Sequence, residues 1–249
     1  MPVLVAPTAF CNDLRAPVVA AAIGRGLERA GCPPPDLCPL SGGGPGTIEL
    51  LLPVLGGETG DGFALIEDGA TALAEPAGDD GAATGERLAA AAATGAAVVM
   101  LAAARTELGS AGALLEALGD HGGLRGAALV VLCDLRDPGA PALALRDERG
   151  ARLVAGVPFV LEALDFDARM RAAHALVVGE GRLDRGTLRG RVTGEIATRA
   201  RQGGVPCHAV VGVDAIERFD ARILDLQAII AAATIAELEA AGEALAAYL

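Results

Sequence analysis

LVVGEGRLDRGTLRGRVTGEIATRARQ, residues 176–202, decides how the rest of the chain is read. Leu176, Val177 and Val178 form a short apolar run of the kind that strands covered on both faces carry. A glycine-rich, charged bend follows at 179–191, and a helical stretch runs from Val192 to Gln202. Strand, bend and helix in that order are the repeating unit of parallel α/β sheets. Reading outward finds the same alternation. Strands are expected at 3–6, 37–40, 64–66, 98–101, 129–132, 209–211 and 228–230, most of them nearly unbroken hydrophobic runs. Helices are expected near 48 and at 86–93, 111–118 and 235–248. Another helix runs to Ala30, capped by Asn12 or Asp13, with Pro17 in its first turns, Gly31 beyond its end, and Val19, Ile23, Leu27 and Ala30 on one face. The expected class is a doubly wound α/β protein. Gly-, Pro- and charge-rich stretches at 56–62 and 135–141 read as domain crossings.

Composition narrows the function. Of 249 residues, 52% are hydrophobic and only 2% aromatic, so the core must be aliphatic and stacking platforms for single-stranded nucleic acid are not expected. The net charge of -12 repels a phosphate backbone, so no nucleic-acid partner is expected and a phosphate-bearing ligand needs a local site. All 20 basic side chains are Arg. Without lysine, Walker-A phosphate binding, Schiff-base chemistry and Ser-Lys nucleophiles are excluded together. Five cysteines (11, 32, 38, 133 and 207) form no CxxC pair, and His121, His174 and His208 show no metal-ligand spacing, so each histidine reads as a strand-end or surface residue. The N-terminal MPVLVAPTAF lacks signal-peptide features, and no apolar run is long enough to cross a bilayer. The cytoplasm is the expected compartment, with no membrane partner.

Two bends have the residues for chemistry. SGGGPGT, residues 41–47, precedes a helix; Gly42, Gly43, Gly44 and Gly46 free the backbone to turn N–H groups toward an anion, and Thr47 caps the helix or touches a phosphate oxygen. A plain connection is the alternative. In GEGRLDRGTLRGR, residues 179–191, Gly179 and Gly181 permit tight turns around Glu180, Arg182 and Asp184. Asp184 or Glu180 suits a base or Mg²⁺ ligand, and Arg182 or Arg191 suits bidentate pairing with a carboxylate or phosphate. The competing reading is a solvated turn with internal salt bridges. Asp134, after the strand at 129–132, is either a ligand-facing carboxylate or a turn-initiating residue ahead of Pro138.

These motifs, in this order, resemble the bacterial two-domain glycerate kinase family. Residues 3–10, VLVAPTAF, are similar to the family's VIAPDSFKGS. Residues 38–57 resemble LPVADGGEGTVEALVAALGG, 64–72 resemble AVIEMAAAS, and 83–86 the end of TTTYGTGE. The most specific match is 179–191 to GEGRLDAQTLHGK, followed by 205–212. The resemblance implies a Rossmann- or flavodoxin-like domain, 1–57 with 151–249, and an inserted smaller α/β domain, 58–150, flanking an active-site cleft. It further implies ATP and Mg²⁺ as cofactors and a small hydroxy acid, glycerate, as phosphoryl acceptor. The departures are substantial. Thr8 and Cys11 stand where the family has Asp and Lys, Gly42 and Pro45 where it has Asp and Glu, Gly186 for Gln and Arg191 for Lys. Residues 103–110 lack the Asn-Asp pair of GGSATNDGG, and blocks after Gly57 and Asp137 are missing. The implied site reduces to Glu180, Arg182 and Asp184 as catalytic candidates, with Thr187, Arg191 and Asp134 as binding candidates and the metal ligands unassigned. Two readings stay open: a phosphotransferase with altered or weakened activity, and a lapsed relative that binds a small anion or nucleotide or serves in regulation.

Overall fold

The structure, a computed structural model, describes residues 1–11, 14–104 and 108–249. In chain order the elements are β1 (Val3–Pro7), α1 (Ala16–Arg29), β2 (Asp36–Leu37), α2 (Thr47–Leu55), β3 (Glu58–Thr59), β4 (Phe63–Ile66), β5 (Thr71–Ala74), α3 (Gly81–Ala93), β6 (Val98–Ala102), α4 (Ala111–Asp120) and β7 (Ala128–Cys133). They continue with α5 (Ala140–Arg149), β8 (Arg152–Ala155), α6 (Gly156–Ala163), α7 (Phe166–Ala172), β9 (Ala175–Leu183), α8 (Val192–Gly203), β10 (Cys207–Asp214), α9 (Arg218–Leu224), β11 (Leu226–Ala231) and α10 (Ile235–Leu245). Among the described residues the strands form two sheets. One has the order β11-β10-β9-β1-β2 and is parallel throughout. The other has the order β3-β4-β5-β6-β7-β8, parallel from β5 to β8 and antiparallel at its β3–β4–β5 end. The α/β class expected from the sequence is what forms.

Met1–Ser41 with Leu164–Leu249 make one compact unit around the first sheet, and Gly42–Ala163 make a second around the other. The chain therefore parts at 41/42 and 163/164, not at 57/58 and 150/151. The reason is local packing: α2 lies against α6 and β4, and β8 extends the second sheet by pairing with β7. The stretches 56–62 and 135–141 are not crossings. They lie inside the second unit, leading into the β3–β4 hairpin and into α5.

In the first unit Val3, Val5, Val177 and Val210 pack with Val19, Ile23 and Leu27 of α1 and Leu238, Ala241 and Leu245 of α10. The helical spacing of α1 thus reaches the core as expected, except that Ala30 is its exposed C-cap. Its N-cap is Arg15, whose side chain does not cap the helix; the expected caps Asn12 and Asp13 lie outside the described residues. In the second unit α3, α4 and α5 pack Leu88, Leu114, Leu118 and Leu145 onto Val99, Leu101 and Val131. The start of α3 is five residues earlier than periodicity indicated, because the Asp80 side chain accepts the Ala83 N–H at 3.0 Å and caps the helix there. No helix among the described residues is long and apolar enough to cross a membrane.

Candidate functional site

The bend at 179–191 belongs to the first unit, and its beginning is not a loop. β9 runs on through Leu183, four residues beyond the Pro7–Gly179 pair where β1 stops. β10 supplies the partner, pairing Val211 with Glu180 and Asp214 with Leu183. Gly179, Glu180, Gly181 and Arg182 are therefore strand residues, and the turn itself is 184–190. Gly181 is required by a close approach: a Cβ there would collide with the carbonyl oxygen of Phe10. Thr8 closes the same corner by donating its N–H to the Gly179 carbonyl at 2.8 Å.

Around this turn the polar side chains bind one another. Glu180 is 7% exposed and accepts the Thr187 hydroxyl at 2.6 Å. Thr187, fully buried, also accepts the Asp184 N–H at 3.3 Å. Arg191 places Nη1 3.1 Å from Asp184 Oδ1 and 3.6 Å from Glu180 Oε2, and donates to the Arg182 carbonyl at 3.0 Å. Asp184 further accepts the Gly186 N–H at 2.8 Å and Arg182 Nε at 3.3 Å. Burial holds the Glu180 carboxyl above its usual range; Thr187 and Arg191 pull it down and nearby Asp184 adds to the rise. The sequence-predicted residues Glu180, Arg182, Asp184, Thr187 and Arg191 thus form one connected network, and Gly179 and Gly181 set its strand.

The chemistry open to that network is proton exchange at Glu180 and charge pairing through Arg182, whose side chain is 61% exposed. A resident divalent cation does not fit as the side chains stand. Arg191 lies between the two carboxylates where such an ion would sit, and no group of three or more His, Cys, Asp or Glu gathers among the described residues.

The glycine loop at 42–47 belongs to the second unit. It is bound to segments at the carboxyl ends of the parallel strands, the edge where open α/β sheets hold ligands. The Gly43 carbonyl accepts the Ala104 N–H, beyond β6, at 3.0 Å. Gly43 has φ +84°, and a Cβ there would lie 2.6 Å from Gly156 Cα, just after β8. Gly46, also left-handed, is the N-cap of α2, and the Thr47 hydroxyl turns back to the Gly44 carbonyl. The helix N-terminus meets a carboxylate of the protein itself: Glu75, following β5, accepts the Ile48 N–H at 2.8 Å. Sequence reading missed Glu75 because it left β5 unassigned, and with it the strand end that aims the residue. The short strand expected at 37–40 before this loop shrinks to β2, at Asp36–Leu37.

Asp134 stands just beyond β7 and accepts the Arg136 N–H at 3.1 Å and Arg136 Nε at 3.3 Å, the turn-forming role weighed from sequence. The segment 103–110 falls partly outside the described residues. His208 meets the strand-end half of its expectation. It is not a surface residue: at the strand end, one residue into β10, it is 2% exposed with neither ring nitrogen bonded, and burial lowers its pKa. Burial also pushes the Cys38 thiol up to about 11 and the Cys207 thiol higher, which disfavours both as nucleophiles.

Two α/β units, one with a Glu180–Thr187–Arg191–Asp184 network around a buried carboxyl at the end of a parallel strand, define the class. Within that class, residues 138–247 match the glycerate kinase family. Over 106 residues the chain is 34% identical to a glycerate kinase of Halalkalibacterium halodurans; the alignment takes in 43% of this chain and only 23% of that protein. The fold is that of the crystal structure of a protein put forward as glycerate kinase 2 of Salmonella typhimurium LT2, with a TM-score of 0.67 and 20% identity over 100% of this chain and 98% of that one. The resemblance read from the sequence is borne out, and the matched stretch contains the whole 179–191 network. The glycine loop lies outside it.

Proposed function

We propose that the chain is a shortened, divergent glycerate kinase-family protein whose ATP-dependent phosphorylation of glycerate, or of a related small hydroxy acid, is altered or weakened. The supporting observation is that 179–191, within the stretch similar to the family, keeps Glu180, Asp184, Thr187 and Arg191 in one bonded network. In this reading Glu180, buried and above its usual pKa range, takes the proton of the acceptor hydroxyl. Arg182 and Arg191 supply the positive charge that phosphoryl transfer needs, and Asp184 fixes both guanidinium groups. ATP and Mg²⁺ are expected on the resemblance alone, and a cytoplasmic setting belongs to the same proposal.

A second reading, a lapsed relative that binds a small anion or nucleotide, is favoured by the mutual pairing of the charged groups, which leaves Asp184 and Arg191 engaged with one another. A coupled ADP-release assay with ATP, Mg²⁺ and D-glycerate separates the two. Glycerate-dependent turnover abolished by Asp184→Ala supports the kinase. Thermal stabilisation by nucleotide or hydroxy acid without turnover supports the binder. Neither response would reject both.

A further inference from the structure

A cavity of about 380 Å³ opens in the first unit between the turn at 184–190 and α9, within the size range of sites that take a small organic ligand. Its lining is separate from the side chains bonded around Glu180. The turn contributes Arg185, Leu188 and Arg189. The other wall is Glu217, just before α9, with Phe219, Asp220 and Ile223 of that helix.

Three features of these walls point to one kind of occupant. The first is a carboxylate short of donors. The Asp220 side chain is 10% exposed, and its one ion pair among the described residues is to Arg185 Nε, 4.0 Å away and beyond hydrogen-bonding distance. A buried carboxylate that accepts so little is costly, and hydroxyl groups of a ligand would make up the shortfall. The second is an aromatic face. Phe219 is 72% exposed, the most open of the five phenylalanines, and Leu188 and Ile223 add aliphatic surface to the same cavity. The third is positive charge. Segments 182–191 and 218–222 carry six Arg against two acidic residues, in a chain whose net charge is -12. Arg185, its side chain 80% exposed, and Arg189 bring part of that charge to the cavity.

We infer that the cavity is a subsite for a nucleoside phosphate. The base lies against Phe219, ribose hydroxyls donate to Asp220, and the phosphates pair with Arg185 and Arg189. Simpler occupants leave part of the lining unused: a bare phosphate has nothing for Phe219, and an apolar molecule has nothing for the arginines. The inference deepens the phosphotransferase reading and rests on it, since a kinase needs its phosphoryl donor beside its acceptor machinery. The cavity meets that need, because Arg185 and Arg189 share one turn with Asp184 and Thr187 of the network.

Calorimetry of the full chain without glycerate tests the subsite, with ATP and inorganic tripolyphosphate as probes for the wild type, Phe219→Ala and Arg185→Gln. Both side chains are largely in solvent, so neither change should disturb the fold. The wild type should bind ATP more tightly than tripolyphosphate. Phe219→Ala should weaken ATP about tenfold and spare tripolyphosphate, whereas Arg185→Gln should weaken both about tenfold. No ATP binding by the wild type, equal affinity for the two probes, or an ATP affinity unchanged in either variant overturns the inference. Glycerate-dependent ADP release that persists beside any of those results would keep the kinase reading and put its nucleotide elsewhere. Should a variant misfold, ATP-induced amide shifts in the wild type decide: shifts at 185–189 and 217–223 support the subsite, and silence there overturns it.

Discussion

The glycine loop at 42–47 and the bend at 179–191 both precede a helix, both rely on glycine where backbones approach, and both gather polar groups. They differ in what those groups face. In the second unit the loop is bound by backbone contacts to Ala104 and Gly156, and Glu75 meets its helix N-terminus. In the first unit the polar groups are side chains of both signs, bonded to one another around a buried Glu180. A helix N-terminus facing a carboxylate is a poor host for an anion. A carboxylate above its usual pKa range beside two arginines has the groups for proton exchange and charge pairing.

The comparison can be broken most forcefully at Gly43. Gly43→Ala combines a left-handed backbone with a Cβ driven against Gly156, and a loss of about 2–5 kcal/mol is expected in denaturant unfolding. A near-neutral result would mean that the loop is loosely held. In the first unit, Thr187→Val leaves the buried Glu180 without its hydroxyl donor, for an expected cost of about 1–3 kcal/mol. The Glu180 pKa should rise further in that variant, readable by carboxyl NMR titration.

Glu180 also makes a signed pH prediction. A carboxyl held above its ordinary 4.5 binds its proton more tightly folded than unfolded. Its contribution to stability is therefore full below 4.5 and is withdrawn as pH rises through the folded value. Wild type should lose stability relative to Glu180→Gln across that window and run parallel to it above; a gap that is constant with pH would contradict the burial argument. The smallest effect belongs to Glu75→Gln, which keeps an acceptor for the Ile48 N–H but removes the charge. A loss of about 0.3–1 kcal/mol is expected, with greater stabilisation by added phosphate than in wild type.

Much of the fold was legible because apolar runs such as 98–101 and 129–132 are strands buried on both faces, and that pattern does not depend on partners. The short elements were not. β8 (RLVA) and α9 (RFDARIL) have too few residues for a period, and each is defined by its neighbours, β8 by pairing with β7 and α9 by packing on α8. The site was legible to the same degree. GEGRLD identified the residues, but glycines that read as a turn became strand once β10 extended to pair with them. Which side chain meets which helix end, as Glu75 meets α2, is a tertiary fact that local sequence does not encode.

The sharpest measurement is an amide NMR titration of the wild type and Asp184→Ala with ATP, Mg²⁺ and D-glycerate. Saturable shifts at the Gly186 and Thr187 amides that vanish in Asp184→Ala, with the Ile48 amide unmoved, are predicted. Shifts centred on residues 44–48 with 184–191 silent would place the retained site in the other bend and contradict the account.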